Sequence, residues 1–366
     1  MIQLLIEKFI KEHKNWEELL SRAPYNLTIR HDDGLVLFKY SQYESDMSLR
    51  ICQEARGIIF DEETLTPVCV PYFKFFNYGE ENAADIDWAT AQVQEKVDGS
   101  LMKMFFWNGQ WRLATNGTID AFKAVVGDND TNFGCLFVDA LGGLLSYYAM
   151  CEVLKVNYCY MFELVHPLSQ VVIEYAAPAV YLHGQRNMDT LEEKTPNELP
   201  FCLKPKNYGI NDLFETLSLV SRLNDGAHEG VVVCDAHYNR IKMKTEEYLA
   251  QAKLANVGPL TAKNFARMFL NNNLDDYLAF ASEMNKERIN QFMEKVKNIN
   301  VELNSVIEFL NKTEFNSRKD IVFSIKENFN NKLPYFDFAM SFIDKKVHTP
   351  MEYITHMHIS QLSKIL

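Results

Sequence analysis

Strand-forming sequence runs through much of this chain and then stops at about residue 256. From Thr28 onward, short runs rich in β-branched and aromatic residues are bounded by Gly, Asn, Asp or Pro, which is typical of strands joined by turns. After the Gly-Pro pair at 258–259 only helical periodicity remains. This change predicts a domain of mixed strands and helices in residues 1–254, followed by an all-helical domain in residues 255–366.

The predicted elements follow this division. In the first domain we expect helices at 2–21, 133–154 and 211–223, and strands at 57–60, 68–76, 101–107, 158–165, 170–175, 179–183, 230–234 and 240–244. In the second domain we expect helices at 260–272, 275–311, 317–330 and 335–346, and a short one at the end. The apolar stretch 133–150 carries Asp139 and two glycines, so we expect a buried helix there and not a membrane span.

Charge is divided unevenly between the two predicted domains. The chain has a net charge of −12, of which residues 1–254 contribute −13 and residues 255–366 contribute +1. This balance argues against a protein that coats nucleic acid by charge alone. The 7 cysteines form no CxxC pair, and the N-terminal apolar run is interrupted by charge. We therefore expect reduced thiols, no secretion signal and a cytoplasmic location without a membrane segment.

A lysine, an aspartate and a glycine lie at the entry to the strand predicted at 101–107; they are Lys96, Asp98 and Gly99. A lysine attacks phosphorus only in its neutral form, which burial and neighbouring cations favour. Gly99 has no side chain where a phosphate must approach, and Asp98 can orient the turn. Taken alone, the motif is equally typical of a surface hairpin.

Further charged residues lie beside predicted strands downstream. Glu163 and Glu229 each place a carboxylate next to an apolar run, and Lys242 and Lys244 alternate along one strand. With a period of two the lysines share one face, where they repel each other unless an anion such as a triphosphate lies between them. Each segment also has an ordinary structural explanation, since exposed lysines protect edge strands from aggregation and a glutamate often marks a strand boundary.

In this order and spacing, the chain resembles covalent ligases and capping enzymes at their nucleotidyltransferase motifs, which correspond to Lys96-x-Asp98-Gly99, Phe162-Glu163, Glu229-Gly230 and Lys242-x-Lys244. Segments 54–60, 73–77, 162–167 and 171–175 also resemble RNA ligases of the phage T4 RNA ligase 1 type. The resemblance covers nearly the whole chain. It implies an α+β nucleotidyltransferase domain, with antiparallel sheets flanked by helices, followed by an all-α domain that selects the RNA substrate.

The resemblance also implies a role for each matching residue. Lys96 forms a covalent adduct with AMP, and Glu163 and Glu229 are the catalytic carboxylates that bind ribose or metal. The residues implied to contact ATP are Tyr40, Arg56, Lys74, Phe76, Glu95, Gly99, Lys242, Lys244 and Tyr248. Glu229 and Asp275 are the implied metal ligands, but the pair Asp275-Asp276 is equally typical of carboxylates that face solvent at a helix N-terminus.

ATP and Mg²⁺ (or Mn²⁺) are the cofactors that the resemblance implies. The implied partner is single-stranded or broken-loop RNA, with tRNA as the leading example, and the implied enzyme is a monomer that acts in the cytoplasm, or in the host cytoplasm if the protein is viral. One position departs from the family. Where relatives have a lysine in the turn after the second strand, this chain has Asn116, which supplies no charge.

The implied reaction has three steps: Lys96 takes AMP from ATP, AMP passes to an RNA 5′-phosphate, and a 3′-hydroxyl displaces AMP. Two alternatives stay open. A DNA ligase or GTP-using capping enzyme usually carries an OB-type barrel after the last motif, whereas helical sequence follows here. A non-catalytic RNA-binding or repair scaffold with a degenerate ligase domain has no need of the charged set that this chain retains.

Overall fold

The computed structural model of this chain describes all residues except 1–3, 42–43, 127–130, 255–259, 272–273, 275–282, 314, 316 and 330–333. The chain divides into two compact units, Met1–Ala255 and Asn256–Leu366. The boundary expected from sequence, between 254 and 255, lies beside this division. Each unit has its own hydrophobic core.

Every strand that the structure describes belongs to the first unit. In chain order they are β1 (Leu27–Asp32), β2 (Leu35–Tyr40), β3 (Arg56–Asp61), β4 (Pro67–Cys69), β5 (Phe76–Asn77), β6 (Gln92–Glu95), β7 (Ser100–Trp107), β8 (Gln110–Thr115), β9 (Tyr158–Val165), β10 (Ala179–Asn187), β11 (Glu193–Lys194), β12 (Gly230–Cys234) and β13 (Arg240–Lys244). They form three sheets, ordered β1-β2-β3-β4, β11-β10-β9-β7-β8 and β5-β13-β12-β6. All pairings are antiparallel except the one between β5 and β13.

The first two sheets pack against each other. Alternate side chains of β2 point to opposite faces of its sheet, and one set faces the second sheet. Every residue of β2 is buried. Leu35 and Leu37 join the core shared with the second sheet, which contains Phe105 and Met161. Residues of opposite parity, such as Phe38, pack instead in the core that also holds the N-terminal helices. Strand β2 is therefore buried on both faces and contributes side chains to both cores.

The helices of the first unit cover the sheets. In chain order they are α1 (Leu5–Glu12), α2 (Trp16–Leu20), α3 (Arg50–Glu54), α4 (Phe133–Ala140), α5 (Leu144–Val153), α6 (Leu213–Arg222) and α7 (Glu246–Leu254). Helix α4 packs on the second sheet through Phe137, whose ring meets Phe162 of β9 edge-on. Helix α6 is capped by Asp212, whose carboxylate accepts a hydrogen bond from the backbone N–H of Glu215.

In the second unit the described elements are all helices. They are α8 (Ala262–Asn271), α9 (Glu283–Lys312), α10 (Arg318–Asn328), α11 (Tyr335–Ile343), α12 (Pro350–Thr355) and α13 (Ile359–Ile365). One core joins them, with Phe265, Ile289, Val306, Phe338 and Leu362 among its buried residues. The predicted α+β fold followed by an all-α region is therefore confirmed.

Several predicted elements are wrong in detail. The helix expected at 2–21 is two helices, α1 and α2. The strand expected at 68–76 ends at Cys69, two residues before Pro71, which cannot donate a ladder hydrogen bond. Residues 170–175 form no strand, and the backbone N–H groups of Val172 and Ile173 donate to a carboxylate instead.

The apolar stretch expected as one buried helix is also two helices. Helices α4 and α5 meet at an angle of 84°. Gly142 and Gly143 form the break, both with positive φ. No single described helix is long and apolar enough to span a membrane, and α4 and α5 reach that length only when taken together.

Candidate active site

Lys96 lies where the third sheet meets the second. It follows the last residue of β6 and precedes β7, so the Lys96–Gly99 turn crosses from one sheet to the other. Its backbone N–H donates to the carbonyl of Gly230 at 2.9 Å. Because β6 and β12 are paired antiparallel, the start of β12 is held next to the turn. Sheet register therefore brings Glu229, which precedes β12, to Lys96.

The carboxylate of Glu229 binds two lysines. Its Oε2 lies 2.7 Å from Lys96 Nζ, and its Oε1 lies 3.0 Å from Lys244 Nζ. The side chain of Glu229 is 2% exposed and that of Lys244 is 5% exposed, whereas Lys96 remains 21% exposed. The lysine predicted to be the nucleophile is thus the most accessible member of this buried triad.

Gly230 is required for this arrangement. Its φ is +147°, and a Cβ there would lie 2.0 Å from the carbonyl oxygen of Met243 on β13. A larger residue would push β12 and β13 apart, and would move Glu229 relative to Lys244.

Asp98 is buried beneath the turn and accepts three hydrogen bonds. The Tyr248 hydroxyl donates to Oδ1 at 2.9 Å, and the backbone N–H groups of Val172 and Ile173 donate to Oδ2 at 2.8 and 2.7 Å. The backbone N–H of Asp98 itself donates to the hydroxyl of Tyr175 at 2.9 Å. Asp98 therefore fixes the turn that carries Lys96, as its place in the motif suggests.

The pKa of Asp98 is raised to about 6, chiefly by burial and then by the neighbouring negative charge of Glu229. The backbone donors and Lys96 oppose this rise. Burial and Glu229 thus disfavour the charged form of Asp98, whereas its backbone donors and Lys96 favour it.

The structure leaves no space for a side chain at Gly99. A Cβ at this position would lie 2.4 Å from the carbonyl oxygen of Leu164 and 3.0 Å from Cγ of Glu163. The glycine thus lets the turn pack directly against β9. This packing also brings the backbone of the Lys96 turn next to Glu163, so it couples two of the predicted site residues.

Glu163 lies on β9, opposite Leu101 of β7. Its side chain is 17% exposed, and its Oε2 lies 3.3 Å from Nε2 of His183. The sequence had given no reason to single out His183.

A second group of predicted residues surrounds Lys74. The ammonium of Lys74 lies 5.1 Å from the ring centre of Tyr40 and 5.9 Å from that of Phe76. Two aromatic faces thus hold this cation in place. Phe76 pairs with Ile241 in the third sheet, and Asn77 pairs with Lys242. The aromatic group therefore adjoins the strand that carries Lys242 and Lys244.

Arg56 begins β3, directly opposite Lys39 on β2. Its guanidinium lies over Phe75, with 5.1 Å from Cζ to the ring centre. Nη1 of Arg56 is buried and makes no hydrogen bond among the described residues. A buried donor without a partner is costly, so an anion at this point would be bound favourably.

Three predicted site residues remain, and the structure describes two of them. Glu95 ends β6, and its backbone N–H donates to the carbonyl of Lys206. Tyr248 is only 2% exposed, and its hydroxyl serves Asp98 while its ring lies 4.9 Å from Lys244 Nζ. Tyr248 therefore acts on the site through its neighbours. Asp275, the predicted metal ligand, lies outside the described residues.

Two lysines of neighbouring strands reach the Asn116 turn. A Cβ on Gly57 would lie 2.4 Å from the carbonyl oxygen of Asn116 and 2.6 Å from Nζ of Lys103, which is fully buried. A Cβ on Gly117 would lie 3.2 Å from Nζ of Lys39. Two lysine side chains thus flank a turn that has no lysine of its own.

Together these contacts suit an anionic nucleotide. Lys96 meets Lys244 at Glu229, Lys74 lies over aromatic rings, and Arg56 has a buried donor without a partner among the described residues. Magnesium typically binds one or two protein carboxylates together with substrate phosphates, and Glu163 and Glu229 are the predicted carboxylates that the structure describes in this region.

Comparison with known proteins identifies the family. Residues 54–249 match the RNA ligase family of the phage T4 RNA ligase 1 type. A protein of Autographa californica nuclear polyhedrosis virus, described as a bifunctional polynucleotide kinase/RNA ligase, is 29% identical over 76% of this chain and 40% of its own length. The RNA ligase of Rhodothermus phage RM378 is 28% identical over 58% of this chain and 62% of its own.

This chain therefore spans less than two thirds of the length of each of these two relatives. An archaeal ATP-dependent RNA ligase of known structure superposes with a TM-score of 0.46 at 11% identity, over 93% of this chain and 99% of that one. The family match covers more than half of the chain and includes every described residue of the Lys96, Glu163, Glu229 and Lys244 set. The protein belongs to the phage T4 RNA ligase 1 family of RNA ligases.

Proposed function

We propose that this protein is an ATP-dependent ligase that joins RNA ends through a covalent Lys96–AMP intermediate. The observation that carries the proposal is the triad at the crossing of two sheets. Lys96 Nζ lies 2.7 Å from one oxygen of Glu229, and Lys244 Nζ lies 3.0 Å from the other. A nucleophile, a proton acceptor and a cation for phosphate thus occupy one site.

The first step transfers AMP to the enzyme. Lys96 loses a proton, for which Glu229 is the nearest acceptor, and Nζ attacks the α-phosphorus of ATP. An N–P bond forms while the P–O bond to pyrophosphate breaks. Lys244 and Lys242 then stabilise the charge that develops on the phosphate oxygens, with Lys74 and Arg56 on the β- and γ-phosphates. A bound Mg²⁺ would supply further charge neutralisation.

The second and third steps use the same phosphorus chemistry. An oxygen of the RNA 5′-phosphate attacks the AMP phosphorus, which breaks the N–P bond and returns the proton to Lys96. A 3′-hydroxyl of RNA then attacks the 5′-phosphorus, forming the phosphodiester and releasing AMP. The cationic site stabilises each transition state, because all three place negative charge on phosphorus-bound oxygens.

Radiolabelled ATP tests the covalent step. The protein is incubated with ATP labelled at the α-phosphate and with Mg²⁺, then denatured and inspected for label on the chain. We expect label on the wild type, none on Lys96→Ala, and an unchanged amount on Lys14→Ala, which removes an exposed lysine. Equal labelling of Lys96→Ala would contradict the mechanism, and preferential labelling by GTP would favour a capping enzyme.

The RNA substrate is the finer part of the proposal. We propose single-stranded or broken-loop RNA, with a cleaved tRNA anticodon loop as the leading candidate, and the cytoplasm as the place of action. A 5′-phosphorylated single-stranded RNA should be circularised, whereas nicked duplex DNA should not be sealed. Faster sealing of a tRNA broken in its anticodon loop than of a linear RNA of the same length would support the tRNA assignment. Equal rates would count against it.

A further inference from the structure

Glu163 has a basic side chain directly beside it. Nε2 of His183 lies 3.3 Å from Oε2 of Glu163, and both side chains are 17% exposed. Nε2 makes no aligned hydrogen bond in the described structure, although it is buried. The imidazole is therefore close to the carboxylate, where a small movement completes the contact.

A β-bulge presents His183 to Glu163. The pairing of β10 with β9 shifts between Leu182 and Gly184, so His183 is the extra residue. A bulge re-aims the side chain of its extra residue, and bulges are frequent beside active sites. In a regular strand the alternation of side chains would be unbroken at this position.

Tyr72 holds the imidazole on its other side. The rings of Tyr72 and His183 are stacked with 5.3 Å between their centres and 21° between their planes. The Tyr72 hydroxyl lies 2.7 Å from the carbonyl oxygen of His183 and 3.1 Å from Nδ1. A Cβ on Gly184 would lie 1.9 Å from this hydroxyl, so the glycine after His183 makes room for Tyr72.

Tyr72 is itself anchored. It is 5% exposed, and the guanidinium of Arg240 lies 4.2 Å from its ring centre. Arg240 is held by an ion pair with Glu193. Tyr72 and the ion pair behind it thus limit the positions that the imidazole of His183 can take.

We propose that His183 is a positioning residue that orients the Glu163 carboxylate toward the nucleotide. The inference rests on the proposed function, since it assigns a role in ATP binding at that site. When the Tyr72 hydroxyl donates to Nδ1, the neutral imidazole carries its proton on Nε2, which faces Glu163. A hydrogen bond to one oxygen of Glu163 fixes the carboxylate plane and leaves the other oxygen for the ligand.

Two substitutions of His183 separate the contact with Glu163 from the packing against Tyr72. In His183→Gln the side-chain amide nitrogen can reach the position of Nε2 and still donate to Glu163. In His183→Asn the amide reaches only as far as the position of Nδ1. This variant can therefore keep the contact with the Tyr72 hydroxyl, but it loses the contact with Glu163. The two variants are alike in polarity.

The experiment measures the rate of adduct formation as a function of ATP concentration, together with the melting temperature of each variant. We expect His183→Asn to raise the apparent KM for ATP about tenfold, the size of one hydrogen bond to a charged group, with a smaller change in the rate at saturating ATP. His183→Gln should restore a KM close to that of the wild type.

The outcomes distinguish the inference from the proposed function. Adduct formation by the wild type with an unchanged KM in His183→Asn would overturn the role of His183 and leave the ligase proposal intact. An equal rise in KM in both variants, accompanied by an equal fall in melting temperature, would also overturn it, because loss of packing alone would explain both. Absence of adduct in the wild type would overturn the proposed function and this inference with it.

Discussion

At the scale of single residues, Glu54 in α3 carries a buried carboxylate that makes stability depend on pH. Its side chain is 3% exposed, and it accepts the backbone N–H of Ile6 at 3.0 Å. Burial raises the pKa of Glu54 to about 7, against the partial opposition of this hydrogen bond and of Arg50. The unfolded chain, with a pKa near 4.5, therefore releases this proton at lower pH than the folded protein does.

The sign of the effect follows from this difference in pKa. Between about pH 4.5 and 7 the folded state binds more protons, so the free energy of unfolding falls as pH rises through that window. Glu54→Gln has no such proton, so its free energy of unfolding should not fall in this window. From about pH 5 to pH 8, we expect the stability of Glu54→Gln relative to the wild type to rise by roughly 2 kcal/mol. Urea unfolding of both proteins at the two pH values measures this difference in stability. Glu63→Gln, which changes an exposed carboxylate, should show no such gain.

A Glu54→Gln effect of the same size at both pH values would contradict this assignment. The effect would then come from packing or from the hydrogen bond to Ile6, and not from the proton.

Residue identities at the site were predictable from sequence, but several of their physical roles were not. The order and spacing of charged residues singled out Lys96, Glu229 and Lys244, and the structure brings those three together. Gly99 is expected to admit a phosphate, and the structure adds a close packing contact with Leu164 that the sequence does not reveal. His183 was missed because a bulge and a tertiary neighbour place it, and neither leaves a periodic signal in one sequence.

At the scale of elements, three strands have the bounds that the sequence predicts. Strand β9 has the predicted bounds of 158–165, and β12 and β13 match theirs. Segment 170–175 has an equally apolar composition and is not a strand. Its N–H groups at Val172 and Ile173 bind Asp98, and the pattern of a single segment cannot reveal that a distant carboxylate takes the place of a strand.

A buried ion triad links the sheet that carries Lys242 and Lys244 to the sheet that carries Glu163. Glu193 on β11 pairs with Arg240 on β13, and also with Arg186 on β10 at 3.2 Å. The side chains of Glu193 and Arg186 are 5% exposed and that of Arg240 is 12% exposed. Removing the one carboxylate would leave two buried cations facing each other.

We expect Glu193→Gln to lower the free energy of unfolding by about 3–5 kcal/mol, the usual cost of breaking a buried pair from one side. Glu192→Gln is the matched control, because the adjacent carboxylate is exposed, and its effect should stay within about 0.5 kcal/mol. Chemical denaturation followed by circular dichroism measures both. Equal effects of the two substitutions would show that the triad adds nothing to stability.

At the scale of the whole molecule, the chain consists of two units with separate cores and different charge. The core of the second unit draws only on residues from Leu260 onward, whereas the cores of the first unit draw on Leu4 to Met243. The net charge is −13 for residues 1–254 and +1 for residues 255–366. The predicted site residues that the structure describes lie in the first unit, so the proposed adenylylation does not require the helical unit.

A fragment of residues 1–254 tests this separation. Because its cores are complete without the helical unit, we expect it to fold cooperatively and to form the Lys96–AMP adduct, while it joins RNA ends much more slowly than the full chain. The measurements are thermal unfolding, labelling by α-labelled ATP, and circularisation of a 5′-phosphorylated RNA. A fragment that folds but forms no adduct would mean that residues of the second unit complete the ATP site. A fragment that seals RNA at the full rate would mean that the helical unit has no part in recognising this RNA.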